Sequence, residues 1–155
     1  MKVSILCVGK LKENYLRDAI AEYAKRLGRY CKFEVVEVAE SRNTSRAAKD
    51  IELAKQEEAA RLLAASRGYV VALDLGGKEV SSEDLAATVQ VCQDKGESLC
   101  FVIGGSDGLG QEILARANER IRFGRITLPH QLCRVVLAEQ IYRAFCINNG
   151  VLYHK

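Results

Sequence analysis

The sequence is poor in several features that mark particular classes of protein. It contains one proline and no tryptophan among 155 residues, which argues against a proline-rich linker or a collagen-like chain. No apolar run approaches the ~20 residues that a membrane-spanning helix needs. Residues 1–8 lack the long apolar stretch and the small-residue cleavage site of a signal peptide. We therefore expect a cytoplasmic protein that does not associate with a membrane.

The chain also lacks the side chains from which metal sites are usually built. Its two histidines, His130 and His154, form no ligand cluster of the usual spacing, so no metal is expected. Six cysteines are present, but no two of them form a Cys-x-x-Cys pair. Because Cys7, Cys100 and Cys146 lie inside apolar runs, the pattern favours reduced core residues over a disulfide scaffold.

Strong charge of one sign is absent as well. The sequence has 23 basic and 20 acidic residues, a formal net charge of +3, which excludes a histone-like binder of nucleic acid.

Apolar runs of strand length alternate with segments of helical period along the whole chain. The predicted strands are Lys2–Gly9, Phe33–Ala39, Tyr69–Asp74, Leu99–Ile103 and Ile121–Leu128. The predicted helices are Asn14–Gly28, Ala47–Arg67, a segment capped by Ser81 and Asp84, a segment from Gly110 to about Glu119, and Gln131–Ile147. This alternation predicts one α/β domain over residues 1–155, with a parallel sheet that helices cover on both faces.

In open parallel sheets, ligands bind beyond the carboxyl ends of the strands. Three segments reach that edge: residues 73–77, 104–110 and 123–130. The second has four glycines among seven residues, which lets backbone amides approach a ligand closely. A tight strand-to-helix turn without a ligand is the alternative interpretation of this glycine loop.

The glycine loop does not fit the common nucleotide-binding patterns. A dinucleotide fingerprint needs Gly-x-Gly-x-x-Gly after the first strand and an acidic residue about 20 positions later. Here Gly105-x-x-Gly108-x-Gly110 follows the fourth strand, and Thr127 and Leu128 stand where the acidic residue is needed. A Rossmann-like nucleotide-binding oxidoreductase is therefore the less favoured alternative.

Four motifs carry a resemblance to a known family. They are Gly104-Gly105-Ser106-Asp107-Gly108, Thr127-Leu128-Pro129-His130-Gln131, Ala138-Glu139-Gln140-Ile141-Tyr142-Arg143-Ala144 and the terminal Tyr153-His154-Lys155. Each motif alone is weak, but their order and spacing over the whole chain closely resemble the ribosomal large-subunit methyltransferase H family, in the SPOUT class.

The resemblance implies a carboxyl-terminal trefoil knot, a homodimer, and an enzyme that uses S-adenosylmethionine. Its substrate would be the N3 nitrogen of a pseudouridine in 23S ribosomal RNA on the assembled ribosome. A ribosome-binding module that keeps the fold without catalysis is the alternative. The modest charge of the chain agrees with a substrate that is recognised over a large shaped surface rather than as free RNA.

By resemblance, the cofactor contacts fall at Leu73, Gly104, Phe123, Gly124, Arg125, Ile126, Thr127 and Leu128. The run Phe123-Gly124-Arg125 stands where the family has a Ser-Leu-Ser-like run. Because these side chains differ, the contacts expected there are made by the backbone. A sulfonium cation carrying adenosine requires a largely apolar pocket, with Leu73, Ile103, Ile126 and Leu128 as walls.

Methyl transfer is a direct displacement, so the enzyme must hold the reacting atoms in line. The N3 proton must leave, and a positioned base or cation would accelerate the reaction by roughly 10²–10⁴. His154 is the candidate base or substrate-orienting group. Arg143 is the candidate charge partner of the uracil oxygens, and Tyr153, the neighbour of His154, is the third candidate catalytic residue. The alternatives are a Glu139–Arg143 helix ion pair, a frayed terminus, and a helix-capping role for His130.

Two further patterns concern partners. Basic residues that could contact phosphates are Lys10, Lys12, Arg17, Lys25, Arg26, Arg29, Arg42 and Arg46, although Lys25, Arg26 and Arg29 equally fit a solvated helix face. The last helix has apolar residues nearly all around it, which is typical of a helix buried on every side. In so small a chain this predicts an interface with a second copy.

Overall fold

Five parallel strands form the central sheet of the computed structural model, which describes residues 1–155. The strands are β1 (Lys2–Val8), β2 (Lys32–Val38), β3 (Tyr69–Glu79), β4 (Leu99–Ile103) and β5 (Glu119–Arg122), and their order in the sheet is β2-β1-β4-β3-β5. The helices are α1 (Asn14–Leu27), α2 (Ala48–Ala65), α3 (Ser82–Lys95), α4 (Gln111–Arg116) and α5 (His130–Asn148). The predicted α/β architecture is confirmed.

Both faces of the sheet are buried because β1, β2, β3 and β4 each contribute apolar residues to both. Along β1, Ile5 belongs to the core cluster that contains residues of α1, α3 and α5, whereas Leu6 belongs to the cluster with α2 and α4. Successive residues of a strand point to opposite faces, so a continuous apolar run is what a doubly covered sheet requires. No helix is long and apolar enough to span a bilayer.

The start of α3 follows its sequence signal closely. The backbone nitrogen of Asp84 donates to the Ser81 hydroxyl at 3.0 Å, and the backbone nitrogen of Ser81 donates to the Asp84 carboxylate at 2.9 Å. These bonds satisfy two of the free backbone donors at the helix start. The hydrogen bond from the Ser81 backbone holds the pKa of Asp84 below its usual value. The predicted cap is confirmed.

The third strand is longer than predicted. It continues past Asp74, where the predicted strand ends, to Glu79, through the glycine pair at positions 76 and 77. A Cβ atom at position 77 would lie 2.6 Å from the backbone carbon of Arg120. Glycine therefore lets β3 stay beside β5, at the cost of a shift in pairing register between Leu73 and Lys78.

The fifth strand lies earlier than predicted. The expected strand Ile121–Leu128 is wrong, because β5 spans Glu119–Arg122 and residues 123–129 form a loop beyond the sheet edge. Gly124 has φ +148°, a backbone conformation that favours glycine and leaves the strand path. Helix α4 is correspondingly shorter than predicted and ends at Arg116. The trefoil knot is not determined by strand order and stays a prediction.

The close approach of β3 to β5 can be tested with adjacent alanine substitutions. Gly77→Ala should lower the free energy of unfolding by about 1–3 kcal/mol, because the new methyl group meets backbone that cannot move aside. Gly76→Ala is the matched control, since its Cβ would meet the side-chain ends of Asp74 and Arg120, at 3.1 and 3.2 Å. Urea unfolding measures both. Equal effects of the two substitutions would contradict the backbone clash.

Candidate functional site

A cavity of about 650 Å³ opens at the carboxyl edge of the sheet. Its walls come from the three segments that the sequence places there: residues 73–75, 103–108 and the stretch from Ile121 to Cys133. The predicted cofactor residues that line it are Leu73, Gly104, Phe123, Gly124, Ile126, Thr127 and Leu128. Arg125 does not line the cavity, and its side chain is exposed. Ile126 is 83% exposed and so belongs to the mouth rather than to a buried wall.

The glycine loop folds back on itself beside the cavity. A Cβ atom at position 104 would lie 2.7 Å from the backbone carbon of Gly108, and Gly108 donates its backbone N–H to the Gly105 carbonyl at 3.1 Å. Gly108 has φ +84°, in the left-handed region. The tight turn is therefore present, and it also forms a wall of the cavity.

One carboxylate of the glycine loop, Asp107, belongs to a motif of the resemblance but was not among the predicted site residues. Asp107 lines the cavity and accepts hydrogen bonds from both terminal nitrogens of Arg46, at 3.1 and 2.9 Å. The hydrogen bond from Arg46 lowers the pKa of Asp107, so this carboxyl stays ionised. Since the two residues stand 61 positions apart, no local pattern predicts the pair. Arg46, a predicted phosphate contact, is thus tied to the cavity wall.

The start of α5 closes the cavity. His130 is the first residue of the helix and lines the cavity, and no side chain caps the helix start, so the capping role for His130 is wrong. Cys133 lines the cavity one turn later. Burial raises the pKa of its thiol to about 11, which keeps it neutral at ordinary pH.

The three predicted catalytic residues lie together at the other end of α5. Arg143 donates to one carboxylate oxygen of Glu139 from Nε at 3.0 Å and from Nη2 at 2.6 Å, and the Tyr153 hydroxyl donates to the same oxygen at 3.0 Å. The Arg143 guanidinium also lies 4.7 Å from the centre of the Tyr153 ring. The Glu139–Arg143 ion pair is confirmed, and the terminus is held against α5 rather than frayed.

His154 joins this group, which we name the terminal cluster: Glu83, Glu139, Arg143, Tyr153 and His154. Arg143 Nη1 lies 3.1 Å from His154 Nδ1, and His154 Nε2 lies 2.8 Å from Glu83 Oε1. A guanidinium only donates, so the network assigns Nδ1 as acceptor and places the ring proton on Nε2. Both ring nitrogens are engaged, which favours an orienting role for His154 over that of a base.

Two carboxylates of the terminal cluster were missed as functional candidates. Glu139 had been considered only as an ion-pair partner, yet it is the acceptor that joins Arg143 to Tyr153. Glu83 lies 71 positions from His154 in the sequence, so no spacing pattern could have found it. Burial and the hydrogen bond to Glu139 raise the pKa of Tyr153 to about 12. Its hydroxyl therefore remains a hydrogen-bond donor at ordinary pH.

The structure does not bring the cavity and the terminal cluster together within one chain. His130 at the cavity and Arg143 in the cluster are 13 residues apart on α5, which corresponds to roughly 20 Å at the helical rise per residue. Cys133 and Glu139, the nearest members of the two groups along the helix, are six residues or roughly 9 Å apart. No residue of the terminal cluster lines the cavity. One chain thus carries two separated halves of the predicted site.

The chain is similar to known proteins over nearly its whole length. The family model described as predicted SPOUT methyltransferase matches residues 1–154. Curated proteins named ribosomal RNA large subunit methyltransferase H, from Clostridium novyi (strain NT) and Limosilactobacillus reuteri (strain DSM 20016), are 51% and 53% identical over all of both chains. The crystal structure of a methylase family protein from Neisseria gonorrhoeae is 15% identical, covers 90% of this chain and 81% of its own, and has a TM-score of 0.54. That structural likeness shows the fold alone.

The role of Glu139 predicts that its charge holds the carboxyl terminus in place. Glu139→Gln keeps the shape of the side chain but weakens the bonds from Arg143 and Tyr153, because charged acceptors bind more strongly than neutral ones. Amide hydrogen exchange in residues 151–155 should become roughly tenfold faster. Glu22→Gln is the matched control, since Glu22 pairs with Arg26 at the same helical spacing on an exposed surface. Unchanged exchange in Glu139→Gln would contradict this role.

Proposed function

This chain belongs to the predicted SPOUT methyltransferase family, and on that basis we propose that it transfers a methyl group from S-adenosylmethionine to large-subunit ribosomal RNA. The names of the curated relatives suggest the substrate class. The observation that carries the proposal is the cavity, because its three wall segments contain the positions at which the family resemblance implies the cofactor.

The residues of the cavity fit such a donor. About 650 Å³ is within the range of ~300–1,000 Å³ that small-molecule sites occupy. Leu73, Ile103 and Leu128 offer apolar surface to an adenine ring, and the glycine loop offers backbone hydrogen-bonding groups. The Asp107 carboxylate is already paired with Arg46, so the apolar walls and the glycine loop carry this fit. When bound, the donor supplies a methyl group on a positively charged sulfur.

We assign the finer chemistry to the terminal cluster. The substrate is N3 of a pseudouridine on the assembled ribosome. Its N3–H bond breaks and the proton passes to solvent water, while N3 takes the methyl group and the breaking of the sulfur–methyl bond would leave a neutral thioether. Arg143 stabilises the negative charge that develops on the ring oxygens, since Glu139 fixes the orientation of its guanidinium. His154 and Tyr153 orient the ring as hydrogen-bonding groups, because neither offers a free basic atom in this arrangement.

A homodimer completes the site in this proposal. The terminal cluster of one copy faces the cavity of the other, which overcomes the roughly 20 Å of helix between His130 and Arg143 within one chain. Exposed apolar side chains occur near both halves: Ile126 and Leu132 near the cavity, 83% and 40% exposed, and Leu152 in the terminus, 90% exposed. Such side chains favour burial between subunits.

The remaining parts of the proposal follow from the family. Residues 1–155 form one catalytic domain with a knotted carboxyl-terminal part. The protein acts in the cytoplasm, where ribosomes are found, and needs no metal.

Methyl transfer to ribosomes tests the activity. Ribosomes that lack the modification should accept tritium from labelled S-adenosylmethionine, and Arg143→Ala should lower turnover by roughly a hundredfold or more. Arg67→Ala is the control, because Arg67 is exposed and bonds only to the nearby backbone carbonyls of Ala64 and Ser66. Calorimetry should detect binding of S-adenosylmethionine but not of NAD. Ribosome binding without methyl transfer would favour the non-catalytic module, and NAD binding the oxidoreductase.

The shared site can be tested by mixing two inactive variants. Arg143→Ala damages the terminal cluster, and Leu128→Trp fills the cavity. When both chains are produced together, half of the dimers are mixed and each has one intact site, so roughly a quarter of wild-type activity should return. If the mixture stays as inactive as either variant alone, the site lies within one chain. A monomeric mass in light scattering at micromolar concentration would also overturn the dimer.

A further inference from the structure

An exposed aromatic side chain lies next to two unpaired lysines at the start of α1. Tyr15 is 70% exposed, although most aromatic residues of this chain are half-buried or buried. Lys10 and Lys12 are exposed, and neither takes part in the ion pairs of the structure. We name these three residues the basic rim.

The basic rim lies beside the cavity. Strand β1 is the neighbour of β4 in the sheet, so the segment after β1 leaves at the same edge as the glycine loop after β4. A Cβ atom at position 105 would lie 3.5 Å from the Val8 side chain, and Gly105 lines the cavity. The chain continues from Val8 through Gly9 directly into the basic rim.

Hydrogen bonds hold the basic rim in a fixed shape. The buried Leu11 donates its backbone N–H to Glu37 Oε2 at 2.6 Å, and its carbonyl accepts from Arg17 Nε at 2.6 Å. Since both backbone polar groups of Leu11 are bound and its side chain is buried, Lys10 and Lys12 on either side are directed outward. Arg17, a predicted phosphate contact, is used here to hold the backbone.

The charge of this surface is small. Glu13 is exposed within the same segment, and Glu40 lies beside Gly9, so the two lysines are partly balanced. Two lysines and little net charge cannot bind a polyanion strongly by charge alone. An exposed ring adds a second kind of interaction, because unpaired bases stack on aromatic side chains whatever their sequence.

We propose that the basic rim binds an unpaired nucleotide of the RNA substrate, with Tyr15 stacked on its base and Lys10 and Lys12 on its phosphates. This inference rests on the proposed RNA substrate and extends it, since it assigns a contact outside both the cavity and the terminal cluster. A nucleotide held here lies next to the cavity mouth and positions the RNA for reaction.

A second copy of the chain is a poorer occupant of this surface. If the surface met itself across a two-fold axis, Lys10 and Lys12 would face the same lysines of the other copy, and like charges repel. RNA presents the opposite charge together with flat apolar bases, which match both kinds of side chain.

Sedimentation with ribosomes that lack the modification tests the inference, because it measures binding separately from methyl transfer. Tyr15→Ala should weaken ribosome binding roughly tenfold, whereas Tyr15→Phe should bind like wild type because the ring is retained. Lys10→Ala and Lys12→Ala should each reduce the slope of log affinity against log salt by about one. Calorimetry should give S-adenosylmethionine the same affinity for all these variants and for wild type, because none of the three residues lines the cavity.

Controls separate this inference from the proposed function. Lys95→Ala changes an exposed lysine at the end of α3, at the opposite edge of the sheet, and should leave ribosome binding unchanged. The inference would be overturned if Tyr15→Ala bound ribosomes as tightly as wild type. It would also be overturned if the Tyr15→Ala variant were a monomer, because Tyr15 would then lie in the dimer interface. A wild-type protein that binds ribosomes but transfers no methyl group would contradict the proposed activity alone, and Tyr15→Ala would still decide the inference. A wild-type protein that does neither overturns both.

Discussion

The buried guanidinium of Arg134 joins the parts of the molecule on which its candidate surfaces depend. Its side chain is 1% exposed, and it donates to Glu37 at 3.0 Å and to the Val8 carbonyl at 2.7 Å. A cation so far from water is tolerated only when it is paired and hydrogen-bonded. Its Nε is buried without a partner, which costs about 1–3 kcal/mol that the other contacts must offset. The Glu37 oxygen that accepts from Arg134 also holds Leu11, so one ion pair fixes the start of α5, the end of β1 and the basic rim.

Helix α5 sets the distance between the two halves of the candidate site. Its first turn closes the cavity, Glu139 lies at its middle, and Arg143 lies one turn after Glu139. A straight helix fixes the separation of its residues, so Arg143 cannot approach His130 within one chain. The same helix packs between α1 and α3 through a continuous apolar core, so it cannot bend toward the cavity without breaking that core. A second copy of the chain can place its terminal cluster against the cavity without moving α5. The exposed apolar residues near each half favour such a contact, because it would bury them.

Local sequence patterns predicted the parts of this fold that local interactions determine. Strand β4 lies at Leu99–Ile103 as predicted, because a buried strand needs a continuous apolar run. The capping box of α3 depends on residues three positions apart and is equally visible. The end of β3 was missed because Gly77 is required by the backbone of β5, a contact that no linear pattern records. Arg46 with Asp107 and Glu83 with His154 were missed for the same reason. The family resemblance supplied the grouping of Arg143, Tyr153 and His154, which the residues alone did not.

The glycine loop shows how one residue can satisfy two requirements that first stood as alternatives. Gly104 must lack a side chain because the loop returns within 2.7 Å of its Cβ position, and this holds with or without a ligand. A glycine at the end of a strand is therefore weak support for a binding site when taken alone. The support comes from convergence, since β3, β4 and the segment after β5 all contribute to one cavity. Because parallel strands end at a common edge, the sheet brings these segments together around one cavity. The glycine turn adds backbone to the wall of this cavity but no side chain that would fill it.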